Sequence, residues 1–162
     1  MRTRPAGYVE DTDRLSLHQG LRTALAAGVA FWITQLLQMP GGYWAAISAI
    51  VVMQSEVGAT VIASRDRLAG TAMGAVVGWL TAKVWHHHIA IFSLAVLVVM
   101  VLCTLLHFKN AGRLGGVTVA IIILIPHTEP VWHIAMERFL EVSFGIGVSL
   151  AIATAWPKAL RL

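Results

Sequence analysis

Two arginines and one glutamate lie where they could bind an anion and exchange a proton. Arg67 is part of the segment RDRLAGTAMGAVVG, and Arg138 is part of ERFLEVSFGIGVS, with Glu141 one helical turn after it. Arginine binds carboxylates through a planar fork, and a buried carboxyl group readily takes up a proton. In the functional interpretation, Arg138 holds a carboxylate while Glu141 exchanges protons. In the structural alternative, the two form an ion pair within one helix.

Polar residues also interrupt two apolar segments, one in each half of the chain. The first break is Gln54-Ser55-Glu56, and the second is Pro126-His127-Thr128-Glu129. Paired interruptions of this kind indicate a transporter's substrate site, although ordinary turns at the membrane edge would give the same pattern. Asp66 or Glu56 is a candidate partner for Arg67. The predicted substrate contacts are Arg67, Arg138, Gln54, Ser55 and Trp44, and the predicted proton-coupling residues are Glu141, Glu56 and His127.

These residues belong to a chain that is 57% hydrophobic and only 12% charged. A soluble domain has about 25% charged residues, so the composition predicts a membrane protein. Two of its apolar segments fall short of the roughly 20 residues that a transmembrane helix needs, and four reach that length or nearly so. We therefore predict an all-α polytopic protein with six transmembrane helices, near residues 21–38, 43–54, 68–85, 89–106, 114–126 and 139–156.

The basic residues orient this predicted bundle, because loops on the cytoplasmic side retain the excess of lysine and arginine. With six spans, ten of the twelve basic residues fall on one side, which includes both termini, and only Lys83 and Arg138 fall on the other. The sequence thus predicts a bacterial inner-membrane protein with both termini in the cytoplasm. Its parts are a polar segment at 1–16, a transmembrane domain at 17–157 and a short tail at 158–162. Acidic residues before the first span argue against a cleaved signal peptide.

The third and sixth predicted spans repeat each other when the chain is aligned with itself so that Arg67 lies on Arg138. In this repeat alignment, a stripe of small residues follows each arginine on the same helical face. Small residues at four-residue spacing allow membrane helices to approach closely. Three spans per half is an odd number, so the repeat predicts a 3+3 inverted arrangement. The residues predicted to serve helix packing are Gly70, Gly74, Gly78, Gly145 and Ser149.

Other functional classes have weaker support. The net charge of +4 lies in short loops without an RNA-binding motif, so no nucleic-acid partner is expected. The run HHH at 86–88 is typical of a solvated loop, and no segment has the spacing of a metal or cofactor site. The chain lacks a nucleophile elbow, a phosphate loop and a Cys-x-x-Cys pair, so we predict that it is not an enzyme. Cys103, the only cysteine, lies within the fourth span.

The run YWAAISAIVVMQSEVGATVIASRDRLAGTAMGAVVG resembles the transmembrane module of the fusaric acid resistance and aromatic acid exporter family. The match rests on Tyr43, Trp44, Gln54, Gly58, Ala59, Thr60, Arg67, Gly70, Thr71 and Gly74, and near the end of the chain on Arg138, Glu141, Gly145, Trp156 and Pro157.

This resemblance implies a proton-driven exporter of small aromatic acids. More distant relatives, the plant aluminium-activated malate channels, imply a dimeric channel for organic anions. Typical exporters add a large cytosolic domain and a second membrane module, so this chain is expected to associate with itself, most simply as a dimer, in contact with membrane lipid. A non-transporting accessory or scaffold subunit of a larger efflux system is the remaining alternative.

Overall fold

The computed structural model describes residues 6–83, 88–108, 110–126 and 129–156, with side-chain environments from Leu17 onward. Within these ranges the chain forms six helices and no strand, which confirms the all-α prediction. The helices are α1 (Ala6–Leu36), α2 (Gly42–Val52), α3 (Val57–Ala82), α4 (Ile89–Leu105), α5 (Ala111–Leu124) and α6 (Val131–Ala155).

One of these helices, α6, is both long and apolar enough to cross a membrane by itself. The helices α2, α4 and α5 are apolar but have only 11, 17 and 14 residues. The helix α1 begins at Ala6, so it extends back into the polar segment predicted at 1–16. Length and composition therefore support one membrane span within the described residues, whereas six spans remain a prediction.

The third and sixth helices begin earlier than the apolar segments that predicted them. Helix α3 begins at Val57 and α6 at Val131, rather than near residues 68 and 139. Arg67 is therefore inside α3 and not before its first turn. The helix continues through polar residues because protein covers them: Ser64, Asp66 and Arg67 are all buried. A hydropathy pattern cannot detect a helical turn whose polar side chains face other helices.

Between α2 and α3 the backbone is non-helical for four residues, Met53 to Glu56. Side chains of α1 satisfy carbonyl groups in this break. The Arg22 guanidinium donates to the Ser55 carbonyl at 2.8 Å, and the Gln19 amide donates to the Met53 carbonyl at 3.2 Å. The Gln54 backbone N–H donates to the Thr60 hydroxyl at 3.1 Å. Irregular backbone at membrane depth needs such internal partners, so these contacts make the break compatible with a buried position.

The first half of the chain comprises α1, α2 and α3, and the second half comprises α4, α5 and α6. The third helix of each half packs against the other half. Helix α3 packs most extensively against α5, and α6 packs against α2 in the equivalent way. The main helix contacts remain the same set when α1, α2 and α3 are exchanged for α4, α5 and α6. Two apolar clusters follow this pattern, one around Ala30 and Ala49 and the other around Val99 and Val119. Each third helix thus completes the core of the other half.

Small residues lie where the exchanged helices cross. A Cβ atom added at Gly74 would meet the Gly115 carbonyl oxygen, and one added at Gly145 would meet the Ala45 carbonyl oxygen. The Ser149 hydroxyl donates to a backbone carbonyl of α2 at 3.1 Å. Gly70 and Gly78 also face α5, against Ala111 and Ile122 respectively. The crossings therefore leave no space for a methyl group at several of these positions.

We expect Gly145→Ala to destabilise the fold by about 1–3 kcal/mol, the usual range for overpacking a closed contact. The matched control is Gly147→Ala in the same helix, where an added Cβ has no neighbour within 4 Å. Thermal unfolding of the two variants in detergent measures the difference. Equal midpoints for the two variants would contradict the close crossing of α6 and α2.

Candidate functional site

Arg138 and Glu141 form a buried ion pair near the start of α2. An Arg138 Nη atom lies 2.9 Å from Oε2 of Glu141 and 3.3 Å from Oε1. Glu141 is only 1% exposed. The carboxyl group lies against Gly41, where an added Cβ would overlap both members of the pair. Glycine at this turn therefore makes room for the ion pair, and the pairing proposed as the structural alternative is present.

An aromatic ring covers the Arg138 guanidinium, since its central carbon lies 5.2 Å from the centroid of the Trp44 ring. A cation at this distance is attracted to the ring face. Nε and Nη1 of Arg138 have no hydrogen-bond partner among the described residues. A cavity of about 160 Å³ reaches this arginine between Trp44, Tyr43 and Ile134. Arg138 therefore has unused N–H donors beside a small cavity, even while it is paired with Glu141.

Arg67 is buried as deeply as Arg138, at 4% exposed, but lacks an acidic partner in the described ranges. Its Nη2 atom has one long hydrogen bond, 3.5 Å, to the Ser48 hydroxyl, and its Nε atom has no partner there. The two carboxylates predicted as partners do not pair with it. Asp66 instead accepts a hydrogen bond from the Asn110 amide at 3.3 Å, and Glu56 is exposed at the N-terminus of α3.

This asymmetry follows from one position of the repeat. In the alignment that places Arg67 on Arg138, the counterpart of Glu141 is Gly70. Gly70 lies too close to the Ala111 carbonyl to be replaced by a larger side chain without movement of α5. The first half therefore carries the arginine without the carboxylate. A buried, unpaired guanidinium is energetically unfavourable unless it meets an anion or water, so Arg67 is the stronger candidate for anion contact.

The remaining predicted residues form no hydrogen bond or ion pair with either arginine within the described part, or lie outside it. Gln54 and Ser55 belong to the break, where Ser55 uses its carbonyl to accept from Arg22. His127 lies outside the described residues, as do His86 and His87. Within the described ranges, no group of three histidine, cysteine, aspartate or glutamate side chains could hold a metal ion. The structure thus brings Trp44, Arg138 and Glu141 together, and it places Gln54 in the lining of a different cavity, with Asp66 and Arg113.

The sequence interpretation missed three residues that shape the site. Arg22 was counted only as a basic residue at a span end, yet it is 5% exposed and bonds the break. Ser48 looked like one small residue among many in α2. Gly41 had a usable signal, since a Pro-Gly-Gly run separates two apolar segments and a turn there was predictable. Its contact with Glu141 depends on tertiary packing and had no such signal.

Comparisons with known proteins match most of the chain. Residues 29–152 match the family model described as "Fusaric acid resistance protein-like". The chain is 33% identical over 136 residues to "Uncharacterized transporter YdhK" of Escherichia coli (strain K12), covering 78% of this chain and 20% of that protein. It is 27% identical over 144 residues to "Inner membrane protein YeeA" of the same strain, covering 86% and 40%. The chain therefore spans about a fifth of the first relative's length. No solved structure matches it.

Proposed function

Since this chain belongs to the fusaric acid resistance protein-like family, we propose that it is the membrane module of a transporter for small organic anions, aromatic carboxylates among them. The observation that carries the proposal is Arg67, a buried guanidinium with no acidic partner in the described ranges. A charged side chain at membrane depth is expensive and usually marks a substrate or ion pathway. Arginine suits a carboxylate because its planar fork donates two parallel hydrogen bonds.

The proposed membrane arrangement is six spans in a 3+3 inverted repeat, with both termini in the cytoplasm of a bacterial cell. The interchange of helix contacts between the two halves supports the repeat. The charge distribution supports the orientation, because ten of the twelve basic residues fall on one side. The helical break at Met53 to Glu56, held by α1, supports an irregular segment within the membrane.

In this proposal a proton gradient drives transport, and the Glu141 carboxyl group takes up and releases the proton. This carboxyl group is buried against Arg138, so a proton on Glu141 would weaken the pair and release the guanidinium for a substrate carboxylate. Because Arg138 would bind either the Glu141 carboxylate or the substrate carboxylate, movement of the proton would be linked to movement of the substrate. A channel for organic anions needs no such exchange. A non-transporting accessory role would not need Arg67 or Arg138 to bind a substrate.

We further propose that the protein works as a homo-oligomer, with a dimer as the simplest form. Large apolar side chains remain exposed along α3, α4 and α6, among them Val76, Leu94, Leu97 and Met136. In this proposal lipid covers one part of the exposed apolar surface, and a second copy of the chain covers another part. Six helices alone form a thin bundle, so a second copy also helps to enclose a wide path.

Flux measurements in proteoliposomes test the proposed function. We expect saturable uptake of radiolabelled benzoate above the leak into protein-free liposomes, with a several-fold increase under an imposed pH gradient. Glu141→Gln should abolish the dependence on the gradient, because an amide at this position cannot take up and release a proton. Equal uptake by wild type and Glu141→Gln without any gradient effect would favour the channel. No uptake of any carboxylate would reject the proposal.

A further inference from the structure

Two cavities occupy equivalent positions in the two halves of the molecule. One, of about 530 Å³, lies between α2, α3 and α5. The other, of about 160 Å³, lies between α5, α6 and α2 and reaches Arg138. Five positions of the two linings correspond in the repeat alignment, with a shift of one position where α2 is compared with α5. Arg138 lines the smaller cavity, whereas its counterpart Arg67 is not in the lining of the larger one. The matched pairs are Val51 and Ile121, Ala63 and Ile134, Asp66 and Glu137, Arg113 and Tyr43, and Leu114 and Trp44.

Side-chain size accounts for the difference in volume. The narrow cavity has Ile134 and Trp44 where the wide cavity has Ala63 and Leu114. The acid is present in both cavities, as Asp66 in the wide one and Glu137 in the narrow one. The two cavities thus share part of their lining, but only the wide cavity has the volume that is usual for a small-molecule site. Volumes of about 300 to 1,000 Å³ are typical of small-molecule sites.

The wide cavity combines one cation, one anion and an apolar wall. Arg113 is exposed at its edge and forms no ion pair within the described ranges. Asp66 is buried, and the Asn110 amide donates to only one of its oxygens, which leaves the carboxylate further acceptor positions. Val51 and Ile62 supply apolar surface. The set fits a molecule with a carboxylate, a hydrogen-bond donor and an apolar body.

We propose that this wide cavity is the loading site of the transporter, and that it selects monocarboxylates that carry a hydroxyl or amino group on an apolar skeleton. The inference rests on the proposed function and adds the substrate class and its position. Arg113 binds the carboxylate through its fork, and Asp66 accepts the hydrogen bond from the hydroxyl or amino group. Asp66 also repels a second carboxylate, so dicarboxylates are excluded. The cavity lies on the side predicted to be cytoplasmic.

The test uses two acids that differ by one hydroxyl, 3-phenyllactate and 3-phenylpropionate. Their binding to the purified full chain in nanodiscs is measured by competition, and their flux is measured in proteoliposomes. The variants are Asp66→Asn and Arg113→Gln. The matched control is Arg65→Gln, which removes an exposed arginine next to Asp66 that lies over Phe108 and does not line the cavity.

We expect the wild type to bind phenyllactate several-fold more tightly than phenylpropionate. Asp66→Asn should bring that ratio close to one, because the amide is a weaker acceptor than the carboxylate. Arg113→Gln should weaken both acids about tenfold, the effect of losing a charge-assisted hydrogen bond. Arg65→Gln should change neither ratio nor affinity.

The outcomes separate this inference from the proposed function. If the wild type transports neither these acids nor benzoate, the proposed function fails. If it transports them and Asp66→Asn keeps the wild-type ratio, the loading site is wrong and the proposed function stands. Should Asp66→Asn fold poorly, the double variant Ala63→Ile with Leu114→Trp replaces it, since it gives the wide cavity the larger side chains of the narrow one. Unchanged phenyllactate binding by that folded variant would overturn the inference.

Discussion

The Arg138→Gln variant is expected to lose about 3–5 kcal/mol of folding free energy, because it leaves the Glu141 carboxylate buried without its counter-charge. Little folded protein should be recovered from the membrane. Adding Glu141→Gln to the same chain removes the orphaned charge, so the double variant should regain most of the stability. Unfolding curves in mixed detergent, together with the yield of monodisperse protein, measure both effects.

The control for this pair is Glu129→Gln, which removes an exposed acid just before α6. Its effect should stay within about 0.5 kcal/mol, as is usual at exposed positions. Wild-type stability for Arg138→Gln would show that the pair is solvated and would contradict the packing against Gly41. Transport by the stable double variant then separates the two interpretations of the pair: a purely structural pair predicts normal flux, and a proton-coupled pair predicts none.

The second large effect is expected at Arg67. Arg67→Lys keeps the charge but loses the fork, and it should lower carboxylate transport at least tenfold; Arg67→Gln should lower it further. The folded state should not suffer, because Arg67 has only one long hydrogen bond, to Ser48, within the described ranges. Removal of a buried, unpaired charge should even raise the unfolding free energy. Transport and stability therefore change in opposite directions.

Transport per folded molecule is the necessary measurement for Arg67, with folded protein counted by gel filtration. Arg65→Lys, at an exposed position of the same helix, is the matched control and should behave as the wild type. If the Arg67 variants reduced only yield or unfolding temperature, with flux per folded molecule unchanged, the arginine would be a structural clamp. The anion site would then have to be sought elsewhere.

The sequence predicted the helices and offered the Arg138–Glu141 pair as one of two interpretations, because both depend on local spacing. Apolar runs indicated six helices, and an i,i+3 spacing placed the carboxylate beside the guanidinium. The start of α3 was predicted too late, since buried polar residues such as Asp66 look like a solvated loop in a hydropathy pattern. The wrong partner for Arg67 has a different origin: Asn110, which binds Asp66, is distant in the sequence.

The cavities were beyond prediction for a different reason. Their linings come from three helices each, and the sequence alone does not specify which helix of one half lies against which helix of the other. The repeat was visible for Arg67 and Arg138, but its alignment drifts by one position for α2 and α5. Ala63 and Ile134 keep the offset of the two arginines, but without the cavities they appeared as ordinary apolar positions. Their difference in size became meaningful only when the two cavities could be compared.

The exchange of third helices between the halves has a consequence for synthesis at the ribosome. When residues 57–82 have been made, α5, the main packing partner of α3, has not yet been translated. The glycine face of α3 must wait through the synthesis of α4 and most of α5 before it finds its contact. We therefore expect that neither half folds cooperatively by itself, and that the first half stays unassembled until the second has been made. The emerging chain therefore depends on insertion factors, or on lipid alone, to shield α3 from premature association with other chains.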